Sequence, residues 1–278
     1  MNSPTLLITG THGFVGARAM QRYPHAIPVP GELVRAAGEP LTDFIKAHNP
    51  DVILNAAAIS DIGTCERNPD ASYTANVTLP VVLAKAAEAV GAKLVSFSSD
   101  QVYTGCQEAG PYLESDALPT PANLYARHKL EAERRVLDIS PDAVLLRATW
   151  MYDMPMYGHG NRGNFLMNIL HAALHGSELR FSSQEYRGIT YVRQVVEHLE
   201  RAFELPGGVY NYGSENSLDM LATARALLAA LGLSHSVRDT ASAPHNLWMD
   251  CGKIKRQGIY FDTTADGFKR CLKDYGLI

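Results

Sequence analysis

The feature that most constrains this chain is a glycine-rich turn directly after its first apolar segment. The segment LLIT at 6–9 leads through the turn TGTHGFVG at 9–16 into a helical pattern. Glycines at this spacing allow a tight turn, close approach of the backbone to a pyrophosphate, and a close contact between helix and sheet. Backbone amides at the start of the helix then face the phosphates. The turn predicts a dinucleotide site, and the residues expected to bind the cofactor are Gly10, Thr11, His12, Gly13, Phe14 and Val15.

Short apolar segments alternate with helical patterns through the first half of the chain. The predicted strands run over 6–9, 26–29, 52–56, 93–98 and 143–148, and the longest predicted helices over 70–90 and 122–137. This order is typical of an α/β fold with a Rossmann-type doubly wound parallel sheet. We expect residues 1–150 to form the dinucleotide-binding domain, to which later segments return. Residues 151–278 should form mainly a small C-terminal substrate-binding lobe.

Composition and charge exclude several classes of function. The 278 residues carry a net charge of −4 and no run of Lys and Arg, so neither nucleic acid nor an anionic membrane is an expected partner. No apolar stretch approaches the roughly 18 residues that span a bilayer. The N-terminus has no basic region ahead of its first apolar segment, which favours a first strand over a signal peptide. We therefore expect a soluble, cytoplasmic protein with a small-molecule partner.

The cysteines and histidines do not predict a metal site. The 4 cysteines include no C-x-x-C pair, which favours a reducing compartment over a disulfide framework or a zinc site. His171 and His175 share a helix face, but neither an H-E-x-x-H pattern nor a third ligand accompanies them. A solvated helix face explains the two histidines better, and we expect no metal.

A tyrosine and a lysine suggest acid–base chemistry. Tyr125 and Lys129 lie four residues apart in a predicted helix and therefore on one face of it. A Lys ammonium about 5 Å from a phenol, at an effective dielectric of about 20, would lower the phenol pKa from about 10 by about two units. The pair suits general acid catalysis by Tyr125, although such a pair alone is as often two side chains on a helix surface.

Two further strand ends carry residues that suit a ligand site. The segment SSD at 98–100 ends one predicted strand, and NAAA at 55–58 ends another. Open α/β sheets bind ligands at the carboxyl ends of their strands, where a hydroxyl such as that of Ser99 can polarise a carbonyl. An isolated Ser-Ser-Asp is more often a turn that caps its own backbone, so the combination of motifs has to decide.

In combination, these motifs follow the order of the extended short-chain dehydrogenase/reductase family, which the first half of the chain resembles. Within that family, SSDQVYTG at 98–105 and YARHKLE at 125–131 resemble dTDP-4-dehydrorhamnose reductases. The resemblance continues through RATWMY at 147–152, NF at 164–165 and NLWMDC at 246–251. It implies an enzyme that passes hydride from NAD(P)H to a keto group of a nucleotide-activated sugar.

The resemblance also implies roles for individual residues. Ser99 would orient the carbonyl, Tyr125 would donate the proton, and Lys129 would hold the nicotinamide ribose and lower the pKa of Tyr125. Asp100 belongs to the catalytic group and would line the sugar site together with Trp150. The further residues expected to bind the cofactor are Ala56, Ala57 and Ala58.

The expected substrate site includes both matches to the family and departures from it. A diphosphate needs a cationic partner, for which Arg187 is the first candidate and Arg162 an alternative, although surface arginines are often merely solvated. Gln101 stands where these reductases often have an aromatic residue, and Ala126 where the family usually has Gly. The segment 182–190 departs from the pattern that closes the sugar pocket. A different sugar or a non-sugar substrate therefore stays open.

The end of the second predicted strand bears on the choice between NAD and NADP. It has no acid that would accept hydrogen bonds from the adenosine ribose of NAD, and Pro30 and Gly31 follow it instead. Glu32 could still reach that ribose, and Arg35 could meet a 2′-phosphate. The sequence therefore favours NADP(H) slightly over NAD(H).

Two other functions stay open at this point. One is a nucleotide-sugar epimerase or dehydratase with tightly bound NAD. Dehydratases that this chain resembles place Glu where it has Gln101, which weighs against elimination of water. The other is a dinucleotide-binding regulatory subunit or redox sensor without turnover. A homodimer is a further option for the assembly.

Overall fold

A six-stranded parallel sheet forms the centre of the protein in this computed structural model, which describes residues 4–106, 108–158, 163–240 and 243–278. Its strands are β1 (Leu6–Thr9), β2 (Ile27–Pro28), β3 (Val52–Asn55), β4 (Lys93–Ser99), β5 (Val144–Ala148) and β10 (Gly208–Tyr212). They lie in the order β10-β5-β4-β3-β1-β2. This topology confirms the predicted α/β fold with a Rossmann-type sheet.

The strands are apolar along their length because both faces of the sheet are covered. All residues of β1 and β3 are buried. Successive side chains of a strand point to opposite faces, so Ile8 packs in one apolar cluster and Leu7 in another on the far side of the sheet. The strands of this sheet therefore have continuous apolar runs and not an alternation of apolar and polar residues.

Helices connect the strands of the first half. They are α1 (Phe14–Arg22), α2 (Gly31–Ala36), α3 (Glu39–His48), α4 (Ile62–Arg67), α5 (Pro69–Tyr73), α6 (Leu79–Val90) and α7 (Leu124–Ile139). The single helix predicted over 70–90 is interrupted by a π-helical turn, Thr74–Thr78, between α5 and α6. Pro80, in the first turn of α6, has no amide to donate to the carbonyl four residues earlier, which favours the wider turn.

The second half adds short paired strands and a second apolar core. The strands are β6 (Trp150–Tyr152), β7 (Leu179–Phe181), β8 (Glu185–Arg187), β9 (Ile189–Tyr191), β11 (Val237–Asp239) and β12 (His245–Leu247), and they pair as β6 with β9, β7 with β11, and β8 with β12. The helices are α8 (Phe165–His175), α9 (Val192–Glu197), α10 (Leu199–Phe203), α11 (Met220–Ala230), α12 (Gly252–Lys255) and α13 (Thr264–Asp274). Tyr152, Phe165 and Phe268 lie at the centre of this core.

Several late segments pack on the central sheet and not on the second core. The strand β10 pairs with β5, and Val195 of α9 and Leu199 of α10 join the apolar cluster that contains Ile8. Helices α9 and α10 are separated by His198, whose ring hydrogen-bonds the Tyr260 carbonyl at 2.8 Å. Among the described helices, none has both the length and the apolar character needed to cross a membrane.

Candidate active site

The glycine-rich turn between β1 and α1 is too tightly packed for side chains at two positions. Gly10 has a φ of +68°, in the left-handed region that favours glycine. A Cβ on Gly16 would lie 2.1 Å from the Gly10 carbonyl oxygen. A Cβ on Gly10 would lie 2.7 Å from the carbonyl of Ala56, just after β3. The two glycines thus let the turn, the start of α1 and the end of β3 meet at one edge of the sheet.

The start of α1 has the properties of an anion site. No side chain of the described residues caps this helix, whose N-cap residue is Gly13. His12 and Gly13 are exposed, Thr11 and Phe14 are half-buried, and Val15 packs in the core. Amides in the first turn of a helix have no intrahelical acceptor, and they bind phosphate groups. The turn therefore fits the pyrophosphate of a dinucleotide through its backbone.

Asn55 fixes the segment that follows β3. Its buried side chain accepts a hydrogen bond from Thr9 Oγ1 at 2.7 Å and donates one to Ser96 Oγ at 3.0 Å. Its Oδ1 also accepts from the Ala57 amide at 3.3 Å. These bonds hold the chain against the glycine turn, and the next residue, Ala58, is exposed. Ala56 and Ala57, two of the three alanines predicted to bind the cofactor, therefore border that turn.

Ser99 and Tyr125 meet at the carboxyl end of β4, which extends one residue further than predicted. The Ser99 side chain acts on the pKa of Tyr125, so the two hydroxyls lie close together. The Ser99 hydroxyl also donates to Asp100 Oδ1 at 3.1 Å and accepts from the Gln101 amide at 3.2 Å. Two hydroxyls that can both reach one carbonyl oxygen are thus adjacent at the sheet edge that holds the glycine turn.

The pKa of Tyr125 is raised and not lowered. Burial is the largest cause, because it disfavours the phenolate, and the charge of Asp100 acts in the same direction against the hydrogen bond with Ser99. Lys129 Nζ lies 5.9 Å from the centre of the Tyr125 ring and donates to the Phe97 carbonyl at 2.9 Å. The predicted lowering of the Tyr125 pKa by Lys129 is therefore wrong for this structure.

Lys129 is itself a buried group, with only 2% of its surface exposed. Burial lowers the pKa of its ammonium to about 8, and the negative charge of Glu133 opposes that shift. At neutral pH the side chain is still mostly charged. Its amine reaches β4 while Tyr125 lies one turn earlier on α7, so one helix supplies both groups.

The residues predicted to line the substrate site lie together beside Ser99. Arg187 Nη2 donates to Asp100 Oδ2 at 2.7 Å, and the guanidinium carbon lies 5.3 Å from the centre of the Trp150 ring. The Arg187 side chain is 13% exposed, and its buried Nε has no hydrogen-bond partner in the described part of the chain. Arg187 therefore lies beside the two residues predicted to line the sugar site, Asp100 and Trp150. Arg162 is outside the described residues.

Family comparison agrees with this geometry over almost the whole chain. Residues 4–276 match the model of the family described as RmlD substrate binding domain. The chain belongs to this family. Its membership confirms the resemblance to extended short-chain dehydrogenases/reductases and, within them, to dTDP-4-dehydrorhamnose reductases.

Individual relatives of this family member are moderately similar in sequence and highly similar in fold. The spore coat polysaccharide biosynthesis protein SpsK of Bacillus subtilis is 26% identical over 84% of this chain and 81% of its own length. The dTDP-4-dehydrorhamnose reductase of Burkholderia thailandensis is 30% identical, over 69% of this chain and 63% of its own length. A crystal structure of the Bacillus anthracis dTDP-4-dehydrorhamnose reductase in complex with NADP covers 99% of both chains with a TM-score of 0.85 at 20% identity.

Sequence reasoning missed a buried ion pair next to the family motif. Glu133 and Arg147 are paired at 2.7 Å, and each side chain is 4% exposed. Glu133 follows Lys129 by four residues, and Arg147 is a charged residue within a predicted buried strand. A charge at a buried position of a strand is a signal for a buried partner, and it would have found this pair.

The predicted absence of a metal site concerns His171 and His175. Their rings stack with centroids 4.1 Å apart, and His175 Nδ1 lies 2.9 Å from the His171 carbonyl oxygen. Within the described ranges no three His, Cys, Asp or Glu side chains are grouped so that they could hold a metal ion.

Proposed function

We propose that this family member is a NAD(P)H-dependent reductase of a keto group on a nucleotide-activated sugar, similar to dTDP-4-dehydrorhamnose reductase. The observation that carries the proposal is the convergence of Ser99, Tyr125 and Lys129 at the end of β4. Ser99 is the last residue of that strand, and its side chain acts on the pKa of Tyr125. The Lys129 amine bonds the Phe97 carbonyl of the same strand. Family membership and the NADP complex of the Bacillus anthracis reductase support it.

The proposed cofactor lies across the edge of the sheet at β1, β3 and β4. The glycine turn and the alanines after β3 would hold its pyrophosphate and adenosine half, and Lys129 its nicotinamide ribose. When bound, the cofactor supplies the hydride for the substrate carbonyl. We propose NADP(H) as the preferred form, because the Arg35 guanidinium lies at Gly31, just beyond β2, where a Cβ on Gly31 would be 3.1 Å from Arg35 Nη1.

The proposed chemistry assigns the proton to Tyr125. Ser99 and Tyr125 both bond the carbonyl oxygen and so orient it, and Tyr125 donates its hydroxyl proton to that oxygen as the C–H bond forms. Its raised pKa keeps the donor protonated at neutral pH. The phenolate that is left behind regains its proton from solvent.

The environment of Gln101 favours reduction over dehydration. The buried Gln101 side chain accepts hydrogen bonds from Asn123 Nδ2 at 3.1 Å and Thr104 Oγ1 at 3.2 Å. A neutral amide held in this way cannot act as the carboxylate acid–base group that elimination of water needs. We therefore propose a reductase. We also propose a cytoplasmic location, and a homodimer stays a prediction for the assembly.

Replacing Tyr125 by Phe tests the assignment of the proton donor. The change deletes the transferable proton and keeps the ring, so we expect a loss of kcat of about 10²- to 10⁴-fold with nearly unchanged cofactor affinity. Steady-state kinetics with a keto nucleotide sugar and a fluorescence titration with NADPH give the two values. A variant within about threefold of the wild type would place the proton donor elsewhere.

The diphosphate of the substrate needs a cationic partner, for which we propose Arg187, with Arg162 as the alternative. Arg187 is the first candidate because its side chain lies beside Trp150 and its Nε has no hydrogen-bond partner among the described residues. Arg187→Ala should raise the KM for a nucleotide sugar by at least about tenfold, as loss of a charge-assisted hydrogen bond predicts. If Arg187→Ala and Arg162→Ala both leave KM unchanged, the diphosphate assignment is wrong and a neutral carbonyl substrate is the better proposal.

A further inference from the structure

We propose that Glu133 is a positioning residue that joins the Ser98–Ser99 strand end of β4 to the Lys129 amine on α7. It does so at the centre of a buried group of polar side chains, named here the Glu133 network: Ser98, Tyr103, Glu133, Arg147 and Asn211. The inference rests on the proposed function, because it concerns how the reacting groups of that function are held.

The network begins as a row across three neighbouring strands. Ser98 of β4 is the register partner of Arg147 on β5, and Arg147 is the register partner of Asn211 on β10. Register partners in a parallel sheet point to the same face. The Tyr103 hydroxyl accepts from Arg147 Nη1 at 2.8 Å and donates to Asn211 Oδ1 at 2.7 Å, which closes the row.

Glu133 connects this row to helix α7. Ser98 Oγ donates to Glu133 Oε1 at 2.5 Å, and Arg147 donates to the same carboxylate through Nε at 3.0 Å and Nη2 at 2.7 Å. Ser98 directly precedes the proposed catalytic Ser99, and Glu133 lies one helical turn after Lys129. One carboxylate therefore ties the end of β4 to the helix that carries the tyrosine and the lysine.

The same carboxylate acts on the Lys129 amine in two ways. Lys129 Nζ donates to the carbonyl of Phe97, the residue before Ser98, so the peptide held by Glu133 also places the amine. In addition, the negative charge of Glu133 favours the charged form of Lys129 against the effect of burial. The other titratable group that bears on Lys129 from a neighbouring element is the buried Cys65 thiol of α4, and Tyr125 lies on its own helix.

Stability alone is a poor explanation for this network. Two charges that are 96% buried lose their hydration, and apolar side chains of similar volume often replace such a pair without loss of stability. Buried ionic groups that are kept despite this cost serve specific geometry in several systems. Here the geometry that they fix is that of Ser99 and Lys129.

Two variants and one control test the inference. Glu133→Gln keeps the shape and the hydrogen-bonding oxygen but removes the charge. Ser98→Ala removes only the link between β4 and the network. Tyr212→Phe is the matched control, because it also removes one buried hydrogen bond of the sheet, from Tyr212 to the Val195 carbonyl at 2.7 Å, outside the network. For each protein we would measure Tm, kcat, and the affinity for NADPH as a function of pH.

Glu133→Gln should lower kcat by at least about tenfold. Because Lys129 loses its negative neighbour, NADPH affinity should also be lost at a pH about one unit lower than in the wild type. Ser98→Ala should lower kcat by about tenfold without moving the pH at which affinity is lost, and Tyr212→Phe should change Tm alone. A Glu133→Gln protein with reduced Tm but wild-type kcat and pH dependence would show a purely structural network.

The outcomes separate this inference from the proposed function. If the wild type binds NADPH but reduces no keto sugar, the proposed function fails, and the pH dependence of NADPH binding by Glu133→Gln still decides the role of Glu133. If Glu133→Gln does not fold, Ser98→Ala decides, and a kcat equal to that of Tyr212→Phe would overturn the inference.

Discussion

At the scale of single residues, burial determines the protonation of the proposed catalytic groups. Burial raises the pKa of Tyr125, which keeps the phenol protonated, and lowers the pKa of Lys129 to about 8, which makes its charge sensitive to pH. The two side chains share one helix, and the Lys129 amine bonds the Phe97 carbonyl. The state of Lys129 is therefore the part of the site that responds to pH near neutrality.

One prediction concerns the response of Lys129 to pH. Lys129 is charged below pH 8 and loses its proton as the pH rises through about 8, so affinity for NADPH should fall over that range. Lys129→Met keeps most of the side-chain volume without the charge, and it should bind NADPH at least about tenfold more weakly at neutral pH with no such transition. Fluorescence titration at several pH values measures both. An unchanged affinity and pH profile in the variant would remove Lys129 from the cofactor site.

The positions of Tyr125 and Lys129 could be predicted from the sequence, but the direction of the Tyr125 pKa could not. A helix fixes which residues share a face, so spacing is enough to pair them. The pKa depends on how deeply the phenol is buried and on where the amine points. Lys129 bonds the Phe97 carbonyl, a contact between residues 32 positions apart that no local pattern indicates.

At the scale of elements, the connection from β1 through the glycine turn to α1 is the most predictable part of the protein. Its conformation depends on residues that are close in sequence, and Gly10 and Gly16 meet within the turn itself. The edge strand is different, because β2 covers only Ile27–Pro28 where a strand over 26–29 was predicted. The π-helical turn at Thr74–Thr78 was also missed, since a single widened turn changes the helical period over only a few residues.

Replacing Gly16 tests the glycine-rich turn between β1 and α1. Gly16→Ala places a Cβ 2.1 Å from the Gly10 carbonyl oxygen, so the start of α1 must shift. We expect a stability loss of about 1–3 kcal/mol and at least a tenfold loss of affinity for NADPH, measured by thermal unfolding and titration. Gly38→Ala is the matched control, because its Cβ would meet no described atom closer than 3.7 Å. A Gly16→Ala protein that binds like the control would contradict the proposed cofactor site.

At the scale of the whole molecule, a buried arginine joins the glycine-turn helix to the second half of the chain. Arg18 of α1 donates to Asp153 Oδ2 at 2.7 Å and to the Met154 carbonyl at 3.0 Å. The Tyr275 hydroxyl donates to the other oxygen of Asp153 at 2.8 Å. These partners are more than 120 positions apart, so no local sequence pattern indicates the contact between them.

The packing of the later segments likewise depends on contacts that local sequence patterns do not indicate. The sequence predicted a return to the first domain without naming the strand, and β10 is the one that pairs with β5. The site depends on this arrangement, because Arg187 of β8 reaches Asp100 directly after β4. Residues from both halves thus meet at the proposed reaction centre.

The most direct test of the account is therefore turnover by the unmodified protein. NADPH oxidation would be followed with a panel of 4-keto nucleotide sugars, with NADH as the comparison cofactor. We predict saturable NADPH oxidation with at least one sugar, loss of its keto group in equal amount, and a lower kcat/KM with NADH. Tight binding of NADPH without oxidation by any member of the panel would contradict the reductase and favour a regulatory subunit that uses the fold without turnover.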